Sequence, residues 1–275
     1  MSNPPNEKDK IILSYSEPED PPLKRKAIRA IERLSGHKKL QKIYDEVTAM
    51  NLEGHELFSV IMKRLKVEPV WDNNQLTKIP KEGPLVIVAN HPFGVVDGMI
   101  LAYILSHHRS EFKVIVNSVL VKDDVLANYL LPIDFKETKE AMTTNIETRR
   151  ASLKQLKKGN AVAIFPSGAV STAPKPFAPA EDLEWKRFVA KLIQQTKATV
   201  VPIYVHGQNS RMFQIVSQFS VTLRLGMLMH EVKNKMGKEI PVKIGDPIPF
   251  DRIAHIKNKQ ELLDHLREKT FELKM

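Results

Sequence analysis

A histidine and an aspartate six positions apart, His91 and Asp97, stand just past a strongly apolar run in "PLVIVANHPFGVVDG". A carboxylate that holds one ring nitrogen of a histidine fixes its tautomer, and the other nitrogen can then take a proton from a hydroxyl. A histidine on a loop is equally ordinary polar surface. The pair gains weight from two further stretches that also follow apolar runs, "VAIFPSGAVS" and "VVPIYVHGQNSR". In the first, Gly168 lets backbone N–H groups approach a ligand closely, as an oxyanion requires. Ser167 and Ser171 offer hydroxyl donors there, or plain turn and cap chemistry. Ser167 does not read as a nucleophile, because "FPSGA" lacks the G-x-S-x-G elbow. In the second stretch, His206 is either a second working imidazole or a structural one bonded to backbone, and Arg211 suits an anionic headgroup or a carrier phosphate. Asn90, beside the histidine, is placed to hold the loop. Asp182 and Trp185 read as the start of the following helix, a cap and an aromatic that faces either core or ligand.

Other chemistries find less support. His91 and Asp97 supply two metal ligands, whereas a catalytic zinc site needs three from the protein, and no third is assignable. The chain has no cysteine, which removes disulfides, thiolate metal sites and a cysteine nucleophile together. No phosphate-cradling glycine loop of the P-loop or dinucleotide type is present. Neither a metal nor a cofactor is expected.

These groups need elements that deliver them to one place. Beyond Pro69, runs such as "LVIVA", "VAIF" and "TVVPIYV" are apolar on both faces and alternate with helical patterns, as strands covered on both sides require. The expected fold is α/β: a mixed, largely parallel sheet covered by helices on both faces, with an N-terminal helical extension. In such sheets ligands bind beyond the carboxyl ends of the strands, where all three stretches lie. Further strands are expected in "VTLRLGMLM" and "IPVKIGDPIPF", and a closing helix in "NKQELLDHLREKTFEL". Residues 1–22 read as a flexible tail, 23–68 as an N-terminal amphipathic helical segment broken near Gly36 and Gly54, and 69–275 as the α/β domain. The first helix carries Lys24, Arg25, Lys26, Arg29 and Arg33 beside Ile28 and Ile31. That pattern fits a helix lying on an anionic membrane, or one packed on the domain with a solvated basic face.

The stretches "NHPFGVVDG", "IFPSGAVS" and "VVPIYVHGQNS" resemble, in order and separation over roughly residues 80–225, three sequence blocks of the glycerolipid and lysophospholipid acyltransferase superfamily. In that family the histidine and aspartate of the first block are the catalytic dyad, and an "FPEG"-like block helps bind the acceptor. The resemblance implies His91 as general base and Asp97 as its partner. It implies a substrate site formed by Asn90, Phe93, Gly94, Phe165, Pro166, Ser167, Gly168, Ser171, His206, Asn209 and Arg211. Two departures are informative. The family dyad has four intervening residues, and here Pro92, Phe93, Gly94, Val95 and Val96 make five. On a regular helix the extra residue would rotate Asp97 by about 100°, so a non-helical turn at Pro92 and Gly94 must absorb it. Ser167 replaces the "FPEG" glutamate, which removes a charge associated with a glycerol-3-phosphate or lysophosphatidate acceptor. Both variations resemble the hemolysin-like and ornithine-lipid-type branch, whose members esterify a 3-hydroxyacyl chain already amide-linked to an amino acid. The implied activity is acyl transfer from acyl carrier protein or coenzyme A to the hydroxyl of a lyso-aminolipid of ornithine or glutamine type. The rivals are a lysophosphatidate or lysophospholipid acyltransferase, a thioester or lipid hydrolase, and a non-catalytic anionic-lipid-binding protein.

The net charge of +10 selects polyanionic partners: nucleic acid, anionic lipid or an acidic carrier protein. Nucleic acid is not expected, since no zinc-finger spacing, RNA-binding strand motif or basic region leading into heptads occurs. The amino terminus lacks a secretory pattern, and no apolar run approaches the roughly 18 to 20 residues that span a bilayer. The expectation is a cytoplasmic protein, peripheral on the inner face of the cell membrane.

Overall fold

The computed structural model describes residues 14, 16, 20–34, 36–121, 124–175 and 177–274. The expected tail lies almost entirely outside the described residues. Helices α1 (Pro22–Leu34), α2 (His37–Thr48) and α3 (Gly54–Leu65) lead into strands β1 (Val67–Val70), β2 (Leu85–Ala89), β3 (Phe112–Asn117), β4 (Leu130–Ile133), β5 (Ala161–Ile164), β6 (Thr199–Val205) and β7 (Lys238–Ile244). Between the strands run α4 (Asn73–Leu76), α5 (Val95–Ser106), α6 (Asp124–Ala127), α7 (Lys139–Lys157), α8 (Phe188–Thr196), α9 (Arg211–Phe219) and α10 (Val221–Lys235); α11 (Phe250–Ile253) and α12 (Lys259–Glu272) follow β7.

The sheet order is β1-β7-β6-β2-β5-β3-β4. Only the β6–β7 pairing is antiparallel. This is the mixed, largely parallel sheet expected. Both edge strands contain a proline, Pro69 in β1 and Pro132 in β4, which suits positions where a missing N–H faces no partner. The central strand β2 is buried along its whole length. Its side chains alternate between two cores: Leu85, Ile87 and Ala89 join the cluster containing Leu57, Ile100 and Leu228. Val86 and Val88 join Leu156, Ile193 and Leu266 on the other face. Helix α5 is buried at Ile100, Leu101, Ile104 and Leu105, as an element that is apolar all round must be. Arg109 anchors the opposite end of the sheet by donating to the carbonyls of Pro80, Gly83 and Gly159 at 2.8–3.0 Å.

The structure corrects one element. "VTLRLGMLM" is not a strand but the start of α10. Its first five residues alternate as a strand would, yet Leu225, Leu228, Met229 and Val232 continue at helical spacing and join one core. Ser220 caps the helix, its side chain accepting from the Leu223 N–H at 3.2 Å. The apolar stripe of α1 packs on α10 at Gly226, where a Cβ would lie 3.3 Å from the Ile31 Cβ and 3.5 Å from the Ile28 Cα. The first helix is therefore packed on the domain, and Lys26, Arg29 and Arg33 lie exposed on its outer side. Strand β1 spans residue 68, and the three N-terminal helices share the larger core with β2, β5 and β6. No helix among the described residues is long and apolar enough to cross a membrane.

Candidate active site

The strand β2 ends at Ala89, and the next five residues turn before α5 begins at Val95. Gly94 supplies the turn, at φ 94° and ψ −115°, a conformation that a side chain strongly disfavours. This turn absorbs the additional residue between His91 and Asp97. Asp97 lies in the first turn of α5 with its side chain fully buried. The His91 Nδ1–H donates to Asp97 Oδ2 at 2.9 Å. The same oxygen accepts from the N–H groups of Phe93 at 2.8 Å and Gly94 at 2.9 Å. The imidazole lies flat on the Phe165 ring, with centroids 3.9 Å apart and planes 17° apart.

The main chain of His91 is held as well. Its N–H donates to Asp182 Oδ1 at 3.1 Å, and its carbonyl accepts from the Ser171 N–H at 2.8 Å. The Ser171 hydroxyl donates to Asp182 Oδ1, and Trp185 Nε1 donates to Asp182 Oδ2 at 3.4 Å. Asp182 is therefore not a helix cap: α8 starts six residues later, at Phe188. It is a buried carboxylate that fixes the base loop, with its pKa raised by burial against the opposing effect of the Ser171 and His91 hydrogen bonds. Trp185 is core, packed with Val86 and Ile193. Asn90 does hold the loop: its amide donates to the Val205 carbonyl at 2.9 Å and accepts from the Val205 N–H at 2.7 Å.

The "FPSG" turn satisfies itself. The Gly168 N–H donates to the Phe165 carbonyl at 3.0 Å, and the Ser167 hydroxyl donates to the Ala169 carbonyl at 3.0 Å. Gly168 therefore does not present its amide to an oxyanion, and the Ser167 and Ser171 hydroxyls are both committed to protein partners. The shared reason is burial: Ser167 and Ser171 are each under 5% exposed, and a buried hydroxyl must find an acceptor.

An apolar cavity of about 770 Å³ opens beside this cluster. His91, Gly94, Phe165, Pro166, Ser167 and Gly168 are on its wall, together with residues of α2, α3, α5 and α10. The other expected site residues are elsewhere. Asn90, Ser171 and Phe93 are buried supports; the Phe93 ring fills the space of the Cβ that Gly207 lacks, 2.6 Å away, and the Lys235 ammonium lies 4.4 Å from its centroid. Asn209 is buried, with its amide 3.4 Å from the Phe93 carbonyl. The His206 ring is not bonded to backbone through Nε2, which is buried with no partner among the described residues; it packs edge-on against Tyr204. Burial and the nearby Lys243 and Lys274 lower its pKa. Arg211 is exposed and faces a separate small pocket with Phe177 and Gln208. The structure thus joins the first two stretches in one site and uses the third mainly as support. Among the described residues no group of three or more metal-ligating side chains occurs.

The family model described as acyltransferase matches residues 24–275. A lyso-glycine lipid O-acyltransferase of Bacteroides thetaiotaomicron is 29% identical over 208 residues, covering 72% of this chain and 73% of that protein. A protein with the same name from Phocaeicola vulgatus is 28% identical over 207 residues, covering 72% and 71%. Among solved structures, the 1-acyl-sn-glycerophosphate (LPA) acyltransferase PlsC of Thermotoga maritima is similar at 16% identity and a TM-score of 0.48, covering 84% of this chain and 77% of that one.

Proposed function

We propose, from the premise that this chain belongs to the acyltransferase family, that it moves an acyl group from a thioester donor to the hydroxyl of a lyso-aminolipid. The observation that carries the reading is the His91–Asp97 pair on the wall of an apolar cavity. The names of the two bacterial relatives support an amino-acid-linked lysolipid as acceptor, with glycine now standing beside the ornithine and glutamine headgroups. The donor is acyl carrier protein or coenzyme A, and the basic surface suits an acidic carrier and an anionic bilayer alike.

With Nδ1–H given to Asp97, His91 has Nε2 as its proton acceptor. It removes the proton of the acceptor hydroxyl as that oxygen attacks the thioester carbonyl carbon. The tetrahedral intermediate collapses by breaking the C–S bond, and the imidazolium returns its proton to the departing thiolate. Asp97 steadies the imidazolium between these steps. The bonds that change at carbon are the C–O bond made and the C–S bond broken, and His91 moves the proton from the oxygen to the sulfur.

Purified protein, a labelled acyl thioester and a panel of lyso-glycine, lyso-ornithine, lyso-glutamine and lysophosphatidate lipids test this directly. Labelled diacylated aminolipid is expected, with lysophosphatidate a poor acceptor. Thioester hydrolysis that is indifferent to every lysolipid would sink the reading.

A further inference from the structure

Arg224, in the first turn of α10, is on the wall of the same cavity as His91. It is half-buried, and among the described residues its guanidinium has no hydrogen-bond or ion-pair partner. Burial lowers its pKa, and no neighbouring carboxylate offsets the effect. The other cations of the cavity wall are differently placed: Lys24 is bonded to Asp20 at 2.7 Å, and Lys136, Arg149 and Lys186 are exposed. An unpaired cation against an apolar wall is costly, and the cost is relieved when an anion arrives.

The position of Arg224 suits an acceptor more than a donor. Leu228 lies one helical turn along α10 and on the same face; its Cδ2 is 3.1 Å from where a Gly94 Cβ would be. Gly94 in turn donates to Asp97. Arg224 is therefore four residues, about 6 Å along the axis, from the side chain that covers the base loop. In a 3-hydroxyacyl amino acid the reacting hydroxyl and the α-carboxylate are about 7 Å apart at standard bond lengths, so both must be served by adjoining parts of one cavity. The exposed Arg149 and Lys186 leave solvated cations available to the phosphates of a carrier-bound or coenzyme A thioester.

We propose that Arg224 binds the free α-carboxylate of the acceptor, so that the enzyme selects N-acyl amino acids with a free carboxylate over their amides. This rests on the acyl-transfer reading above for its substrate, and the guanidinium supplies two parallel charge-assisted hydrogen bonds to the carboxylate.

The test compares 3-hydroxypalmitoyl-glycine with 3-hydroxypalmitoyl-glycinamide as acceptors for wild type, Arg224→Gln and Arg224→Lys. Calorimetric binding of N-palmitoylglycine and its amide, which have no hydroxyl to react, runs beside it. Wild type is expected to favour the carboxylate by about 10- to 100-fold in KM. Arg224→Gln brings the two KM values together with kcat and donor KM little changed, and Arg224→Lys restores part of the preference. A preference that survives in Arg224→Gln overturns the proposal, as does a rise confined to donor KM, which would place a donor phosphate there. If wild type acylates both compounds equally well, the headgroup inference falls and acyl transfer stands. If it acylates neither, yet binds N-palmitoylglycine at least tenfold tighter than the amide through Arg224, the inference stands and the acyl-transfer reading falls.

Discussion

Asp97 Oδ2 gathers a ring N–H and two backbone N–H groups, so this one oxygen sets both the tautomer of His91 and the shape of the loop beside it. His91→Ala is expected to lower acyl transfer by about 10²- to 10⁴-fold with an unchanged circular dichroism spectrum; near-wild-type transfer would remove His91 from the mechanism. Asp97→Ala should cost activity and also stability, since it strands buried donors at about 1–3 kcal/mol each, a combined loss read from turnover and urea titration. Asp182 behaves differently. Burial raises its pKa above the ordinary 3.8, so the folded chain keeps that proton to higher pH than the unfolded chain does. Its stabilising contribution is complete below the unfolded value and is lost as pH rises through the folded one. Asp182→Asn removes this loss. The melting temperature of the variant relative to wild type is therefore expected to improve as pH rises across that window, while transfer falls about 10- to 100-fold because the His91 main chain is held less well. A melting difference that does not change with pH would contradict the assignment.

At the scale of elements, α10 holds more of the site than its sequence advertises. A short window beginning at Val221 shows period two, and only a window reaching Lys235 shows period 3.6; the longer pattern wins because its stripe is buried against α1 and the base loop. Gly226→Val forces extra carbons into the Ile28 and Ile31 contact, and a loss of about 1–3 kcal/mol is expected in urea unfolding. A variant as stable as wild type would mean that α1 does not rest there. Strand β4 escapes a sequence reading for a related reason: four residues with a proline at a sheet edge carry too little periodic signal. Asp182 misleads as well, because an acidic residue ahead of an aromatic looks like a cap until the fold brings it 3.1 Å from the His91 N–H.

The whole molecule carries a net charge of +10, and part of that excess sits on the outer side of α1. Vesicles rich in anionic lipid should bind the protein at low salt and release it near 1 M salt, where the screening length falls to about 3 Å. Reversing Lys26, Arg29 and Arg33 to glutamate should weaken sedimentation with those vesicles while leaving transfer to a detergent-dispersed acceptor intact; undiminished binding would assign the attachment to another face. The residue order alone determined the α/β class and marked three strand ends as candidates, because apolar runs and turn residues are local properties of the chain, while the expectation of a His91–Asp97 pair leaned on the resemblance to the acyltransferase blocks. Tertiary structure alone decided which polar groups face the cavity. Burial made partners of protein groups for the polar atoms of Ser167, Ser171 and Asn90 and so turned them into supports, made Asp182 a clamp, and left Arg224 on the cavity wall with no partner among the described residues.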